Sequence, residues 1–250
     1  MPDIRVHSSG NRAGAKSAYH RIGQINISKV KTLSPVVNRS GALDDPGLMA
    51  VLSEIAIMNS SPKIVCSGLW QWLQGTGLER FEFVRASDEW VLRGTILTLV
   101  EGAAVEARYE IVCDRSFQTR RANVSVRDRG GERSLHIGAE SGRWHVNGKE
   151  NETVKGAIDI DLGWSPSTNT LPIRRLDLEV GGASGELVAA WVRFPDLTLQ
   201  PLPQEYLRLA DNQYRYSSRG GAFVAKLQVD ENGLVMDYEG FWRRATAGPV

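Results

Sequence analysis

The sequence has few of the residues that build covalent or metal-based frameworks. Its 250 residues include two cysteines and four histidines, which are too few for a disulfide scaffold or a zinc cluster. Two isolated cysteines fit a reducing compartment, and the start of the chain lacks the apolar core of a secretory signal. We therefore expect a cytoplasmic protein, and we predict neither a cofactor nor a metal.

A strong charge of one sign and long apolar runs are also missing. The formal net charge is +1, which gives no general reason to expect nucleic acid or an anionic membrane surface as a partner. The most apolar stretch, Leu48 to Met58, has about half of the ~20 residues of a membrane span and contains Ser53 and Glu54. We expect no integral membrane segment and interpret this stretch as a short amphipathic helix.

Composition divides the chain into three segments. Residues 1–42 are basic, rich in serine and interrupted by glycines, and we predict a disordered leader there. Asp45 and Pro46 form a helix-start signal. Residues 43–67 are therefore predicted to hold a short N-terminal helix, from about Gly47 to Met58, and a linker. Residues 68–247 form the predicted main domain.

In the main domain the apolar period is two. Tyr109 and Ile111 alternate with charged residues, as in a strand with one buried face. Similar runs recur between hairpin signals such as Glu101-Gly102 and Asn147-Gly148. Because no long helix separates these runs, they predict a mainly β fold, an antiparallel meander whose sheet must curl into a barrel, a half-barrel or a sandwich.

The sequence also lacks the common motifs of catalytic sites. The sequence has no glycine-rich nucleotide motif, no H-E-x-x-H zinc motif and no G-x-S-x-G elbow. Asp159 and Asp161 lie two apart on one strand face and could serve as the acid and base of a glycosidase. Alternating charge opposite an apolar face is commoner as a solvated strand exterior. We therefore predict a protein without catalytic activity, with hydrolysis as the alternative.

Two adjacent arginines raise the question of which one faces the interior of the sheet. Arg174 and Arg175 stand at the start of a run that reads as a strand, and alternation puts Arg174 on the same face as Leu176. A buried guanidinium without a partner costs several kcal/mol. We therefore expect one of the two arginines to be buried and partnered, and we favour Arg174. Arg120, in phase with Ala122, raises the same question.

Several stretches resemble a bacterial glycolipid-binding family that was formerly a domain of unknown function. They run in the same order over roughly residues 68–245 and include G-T-G-L-E-R at 75–80, W-V-L-R-G-T at 90–95, D-I-D-L at 159–162, S-P-S-T-N-T-L-P-I-R-R-L at 165–176 and F-W-R-R at 241–244. The resemblance implies a single curled antiparallel sheet that forms an incomplete, half-open β-barrel similar to that of periplasmic lipoprotein carriers, with a cavity open to an amphipathic ligand. It brings no catalytic residues with it.

These observations together predict a non-catalytic protein that binds a glycolipid or a similar small amphiphile. Tryptophan and tyrosine suit such a ligand because each combines an apolar body with a hydrogen-bonding tip. The predicted polar contacts are Arg174, Arg120 and Tyr216, and the predicted apolar lining is Trp90, Trp191 and Tyr109. Two alternatives stay open: a hydrolase acting on a glycoconjugate with Asp159 or Asp161, and an interaction module whose filled interior has no cavity.

Overall fold

A computed structural model of the protein describes residues 61–245, and their strands form one fifteen-stranded sheet. The strands are β1 (Lys63–Trp72), β2 (Gly77–Ala86), β3 (Glu89–Val100), β4 (Ala103–Cys113), β5 (Thr119–Asp128), β6 (Gly131–Glu140), β7 (Arg143–Val146), β8 (Lys149–Glu150), β9 (Ile160–Leu162), β10 (Leu187–Val192), β11 (Leu199–Ala210), β12 (Gln213–Ser218), β13 (Phe223–Val229), β14 (Val235–Tyr238) and β15 (Trp242–Ala245). Their order across the sheet is β8-β7-β6-β5-β4-β3-β2-β1-β15-β14-β13-β12-β11-β10-β9. Neighbouring strands are antiparallel except for β9 and β10, which are parallel.

The alternation and turn signals of the sequence account for much of this sheet. In β4 the side chains of Tyr109 and Ile111 are buried, as their period of two predicts. Glu101 and Gly102 have φ angles of 51° and 75°, and both therefore lie in the left-handed region that tight hairpins need. The mainly β fold and its antiparallel hairpins are confirmed.

The sheet curls but does not close, and β8 and β9 are its two edges. The segment between these edges ties one half of the sheet to the other. Trp144 Nε1 of β7 donates to Ala157 O at 2.9 Å, and Ile160 N of β9 donates to Thr119 Oγ1 of β5 at 3.0 Å. The curled faces enclose one apolar core that draws residues from both halves, because burial of these side chains removes apolar surface from water.

Three short helices lie between β8 and β10. Two are 3-10 helices, Glu152–Val154 and Ser167–Asn169, and the third is α1 (Thr170–Leu176). No helix among residues 61–245 is long and apolar enough to cross a membrane. The predicted leader and the predicted N-terminal helix from Gly47 to Met58 lie outside the described residues.

The T-N-T-L-P-I-R-R-L segment is helical, with Thr168 and Asn169 in the second 3-10 helix and the rest in α1, so the prediction of a strand there is wrong. Pro172 lies in the first turn, where its missing N–H removes no helical hydrogen bond. Asp177 ends the helix in a left-handed conformation, and its N–H donates to Ile173 O at 3.2 Å. In a helix, residues four apart share a face, so Arg175 lies on the buried side with Leu171. Arg174 is exposed.

Candidate functional site

A cavity of about 220 Å³ opens on the inner side of the sheet's second half. The stretch that leads from β9 into α1 forms one side of it, and strands β10 to β15 with the end of β1 form the rest. The lining residues are Trp72, Asp161, Leu162, Gly163, Ser165, Asn169, Trp191, Leu202, Tyr216, Ser218, Arg219, Phe223, Tyr238, Phe241 and Trp242. The cavity therefore depends on the pairing of β1 with β15, two strands at opposite ends of the described chain.

Seven aromatic side chains form the walls of this cavity. The ring centroids of Trp72 and Trp242 are 4.9 Å apart with planes at 68°, and those of Phe223 and Phe241 are 5.2 Å apart with planes at 63°. Tyr216 meets Tyr238 at 6.2 Å and 72°. Tilted contacts of this kind direct ring faces along different axes, so the rings can enclose a small group from several sides.

Trp191 approaches the backbone of the β9 turn closely because residue 163 is a glycine. A Cβ atom at position 163 would lie 2.9 Å from Trp191 Nε1. On the strand side, the guanidinium of Arg219 lies 5.2 Å from the centre of the Trp191 ring, although the Arg219 side chain is exposed. The ring is therefore fixed at the mouth of the cavity beside a cation.

Asp161 contributes the one carboxylate among the lining residues. It is half-buried, and no donor among residues 61–245 forms a hydrogen bond or an ion pair with it. Burial, and then the charge of Asp159, raise its pKa from 3.8 to about 7. Burial and then the charge of Asp161 also raise the pKa of Tyr216. The carboxylate therefore lies close to the aromatic walls.

The neighbouring Asp159 is engaged in a buried ion pair. Arg175 donates from Nε to Oδ1 at 3.1 Å and from Nη2 to Oδ2 at 2.5 Å. The side chains of Arg175 and Asp159 are 13% and 3% exposed, so this buried pair links α1 to the residue that precedes β9. Of the two adjacent arginines, one is buried and partnered, as predicted. That residue is Arg175, so the preference for Arg174 is wrong. Neither aspartate lies on a solvated exterior.

A second buried carboxyl group lies behind the cavity. Glu79 is fully buried, and its Oε1 accepts hydrogen bonds from Tyr109 Oη at 2.6 Å and from Ser165 Oγ at 2.7 Å. Burial outweighs both hydrogen bonds and raises its pKa to about 8. Gly94 makes room for this network, because a Cβ there would lie 2.6 Å from the Tyr109 ring. Ser165 connects the network to the cavity.

Three of the six predicted site residues lie in or next to the cavity, and the other three do not. Tyr216 and Trp191 line the cavity, and Tyr109 reaches it through Glu79 and Ser165. Their part in binding stays a prediction. Trp90 lies elsewhere, stacked on Phe83 at 4.8 Å and on Phe117 at 5.1 Å.

Arg120 and Arg174 do not face the cavity, and the inward orientation predicted for them is wrong. The register between β4 and β5 shifts after Val112, which leaves Arg120 in a bulge where the alternation stops. Its guanidinium pairs with Asp114 at 2.7 Å in solvent. Arg174 is exposed at the helix surface, 5.2 Å from the centre of the Phe117 ring.

A smaller cavity of about 130 Å³ adjoins the first. Trp72 and Trp242 line both cavities. The remaining lining residues of the smaller cavity are almost all apolar, and they are Ile96, Thr98, Leu99, Val100 and Trp164. A polar cavity with aromatic walls therefore lies beside an apolar one, with two tryptophans between them.

Comparisons with known proteins agree with this architecture. A family model described as "Putative glycolipid-binding" matches residues 68–244. Among solved structures, a DUF1089 family protein from Pseudomonas aeruginosa is 34% identical, with 68% of this chain and 92% of that chain covered and a TM-score of 0.62. A search of curated proteins found no match. The matched range contains every residue that lines the larger cavity.

Proposed function

The chain belongs to the family described as glycolipid-binding, and from this premise we propose that its larger cavity binds the head group of a glycolipid or a similar small amphiphile. The observation that carries the proposal is the double character of the lining, where aromatic ring faces meet the polar atoms of Asp161, Ser165 and Asn169. A sugar ring has the matching character, with an apolar face and hydroxyl groups at its edge.

The polar side chains are held in position before a ligand arrives. Asn169 Oδ1 accepts a hydrogen bond from Tyr206 Oη at 2.9 Å, and its Nδ2 donates to Pro166 O at 3.2 Å. Ser165 is held by Glu79 in the same way. Groups that are already ordered lose less conformational entropy on binding, which supports a recognition role for this side of the cavity.

The smaller cavity supports a place for the apolar part of the ligand. It shares Trp72 and Trp242 with the larger cavity, and its walls include Ile96 and Val100. An amphiphile could therefore keep its head group among the polar atoms and direct the first carbons of its chain past the two tryptophans. The interaction-module alternative predicts a filled interior, and the cavity of about 220 Å³ argues against it.

Binding can be measured by calorimetry with an alkyl glycoside such as octyl glucoside below its micelle-forming concentration. Trp191→Ala removes a cavity wall and should weaken binding by about ten-fold, which corresponds to about 1.4 kcal/mol. Trp90→Phe is the matched control, because Trp90 lies outside the cavity and the variant should bind like the wild type. No affinity for a panel of alkyl glycosides, with no lipid in mass spectra of the purified protein, would contradict the proposal.

A hydrolase that uses Asp161 is the second candidate. The raised pKa of about 7 favours it, since an acid of this strength can exchange protons near neutral pH. Against it, glycosidases use two carboxyl groups, and Asp159 is held by Arg175. Turnover of glycoconjugates by the wild type and by Asp161→Asn decides the question, because equal turnover removes the proposed acid.

A further inference from the structure

The carboxylate of Asp161 is the least explained group of the cavity. It is half-buried among aromatic side chains, yet no side chain or backbone donor among the described residues forms a hydrogen bond with it. A charged group removed from water without a partner is costly. Glu79 differs in this respect, because two hydroxyl groups donate to it. The carboxyl group of Asp161 therefore lines the cavity without a donor from the described chain, at a place where a ligand can supply one.

The arginine that pairs with Asp159 and the arginine of the cavity lining are already engaged or solvated. Arg175 directs both of its hydrogen bonds to Asp159. Arg219 lines the mouth of the cavity, but its side chain is exposed and lies over Trp191, and it forms no ion pair with Asp161 in the described part of the chain. When it is ionised, the carboxylate of Asp161 therefore has no hydrogen-bonded or ion-paired cation in the described part of the chain.

The aromatic walls favour the same sign of charge in a ligand. The face of an aromatic ring is negative, and a cation within about 6 Å of a ring centre is attracted to it. Tyr216, Tyr238, Phe223 and Phe241 form a continuous cluster of tilted contacts between 5.2 and 6.3 Å. The charge of Asp161 is near enough to this cluster to contribute to the raised pKa of both Tyr216 and Tyr238, after burial.

We propose that the ligand head group carries a cationic amine or ammonium group, which lies against Asp161 and is enclosed by the aromatic side chains of the cavity. This inference rests on the proposed function and specifies the chemical class of its head group. A neutral sugar would satisfy the hydrogen-bonding capacity of the carboxylate, whereas a cation also neutralises its charge and contacts the ring faces. The amine would lie in the larger cavity, because Asp161 lines that cavity and not the smaller one.

The proposal predicts a pH dependence with a defined sign. The cation needs the ionised carboxylate, so its affinity should fall as the pH falls through about 7, where Asp161 becomes protonated. The other charged or titratable groups that face Asp161 are Asp159, which is paired with Arg175, Arg219, which lies over Trp191, and Tyr206, Tyr216 and Tyr238, whose pKa values burial raises. Glu79, behind Ser165, also titrates near neutral pH and needs its own control.

Three probes with the same eight-carbon chain separate the possible head groups: octyltrimethylammonium, octyl glucoside and octyl sulfate. Each is titrated into the full-length protein by calorimetry at about pH 8.5 and about pH 6, below its micelle-forming concentration. At the higher pH the cationic probe should bind at least about ten-fold more tightly than the neutral probe, and the anionic probe most weakly. The quaternary ammonium does not titrate, so a change with pH reports on the protein.

Two variants assign the effect to one carboxyl group. Asp161→Asn should abolish the preference for the cation at both pH values, and Glu79→Gln should keep the preference and its pH dependence. If Asp161→Asn does not fold, the wild-type pH dependence beside that of Glu79→Gln carries the same test. Equal affinity for the cationic and neutral probes, or a preference that survives in Asp161→Asn, overturns the inference and leaves the proposed function intact. If neither the cationic nor the neutral probe binds, the proposed function itself is overturned.

Discussion

Replacing Glu79 with glutamine should remove much of the pH dependence of the free energy of unfolding. Glu79 is fully buried, and burial raises its pKa from 4.5 to about 8 although Tyr109 and Ser165 donate hydrogen bonds to it. At about 1.4 kcal/mol for each unit of pKa, this rise corresponds to at most about 5 kcal/mol. Its Oε2 has no hydrogen-bond partner among residues 61–245, which agrees with a preference for the uncharged acid.

Proton binding sets the sign of the effect. An acid whose pKa is raised in the folded state stabilises the fold fully below its unfolded pKa, and this stabilisation is lost as the pH rises through the folded pKa. Wild-type stability should therefore fall between about pH 5 and about pH 9, by roughly 2 to 4 kcal/mol once local relaxation is allowed for. Glu79→Gln cannot ionise, so it should match the wild type near pH 5 and exceed it near pH 9.

Urea unfolding followed by tryptophan fluorescence at several pH values measures this difference. Glu82, on the same strand, is the matched control, because hydrogen bonds from Arg80 and Arg93 hold its pKa below the usual range. Glu82→Gln should therefore keep the wild-type slope between about pH 5 and about pH 9. Parallel stability curves for the wild type and Glu79→Gln would refute the argument, since they would mean that Glu79 binds no extra proton in the folded state.

Three further predictions test the interior and the corrected orientations. Arg175→Met leaves a buried carboxylate unpaired and should destabilise the fold by about 3 kcal/mol in urea unfolding, whereas Arg174→Met should change stability by less than about 0.5 kcal/mol; equal effects would contradict the assignment. Tyr109→Phe removes one donor from Glu79 and should cost about 1 to 2 kcal/mol, with a larger loss at high pH, when the carboxylate is charged. Arg120→Ala, at an exposed bulge, should leave both stability and octyl glucoside affinity within error of the wild type, and a clear loss of affinity would return this residue to the site.

Local periodicity explains which parts of the fold are readable from sequence. The alternation that puts Tyr109 and Ile111 on one face depends only on β4 itself, and both side chains are buried. The T-N-T-L-P-I-R-R-L segment is ambiguous, because Leu176 fits a strand period that continues in Leu178, whereas Leu171 and Arg175 lie four apart as on one face of a helix. Tertiary contacts decide between the two periods, because the helix places Leu171 in the core and directs Arg175 to Asp159.

The site residues also differ in whether local sequence or tertiary structure determines their position. Tyr216 and Trp191 follow from residue type and alternation, whereas the position of Arg120 depends on a bulge that periodicity does not reveal. Glu79 carried a usable signal, since it is in phase with the buried Phe81 of the same strand. Asp161 was readable as one of two carboxylates on a strand face, but its cavity was not, because that environment arises from strands that are distant in sequence and meet only in the folded sheet.

Glu79 and Asp161 together separate a structural carboxyl group from one retained for a ligand. Burial raises the pKa of both groups near one cavity, but Tyr109 and Ser165 donate hydrogen bonds to Glu79, whereas no residue of the described chain donates one to Asp161. Neutralising Asp161 should therefore stabilise the free protein near pH 8, by about 1 kcal/mol after allowance for its partial exposure. The same change should weaken binding of a cationic amphiphile. A residue whose replacement raises stability and lowers affinity is maintained by function rather than by folding, and Glu79→Gln, which should leave the ligand preference unchanged, provides the contrast.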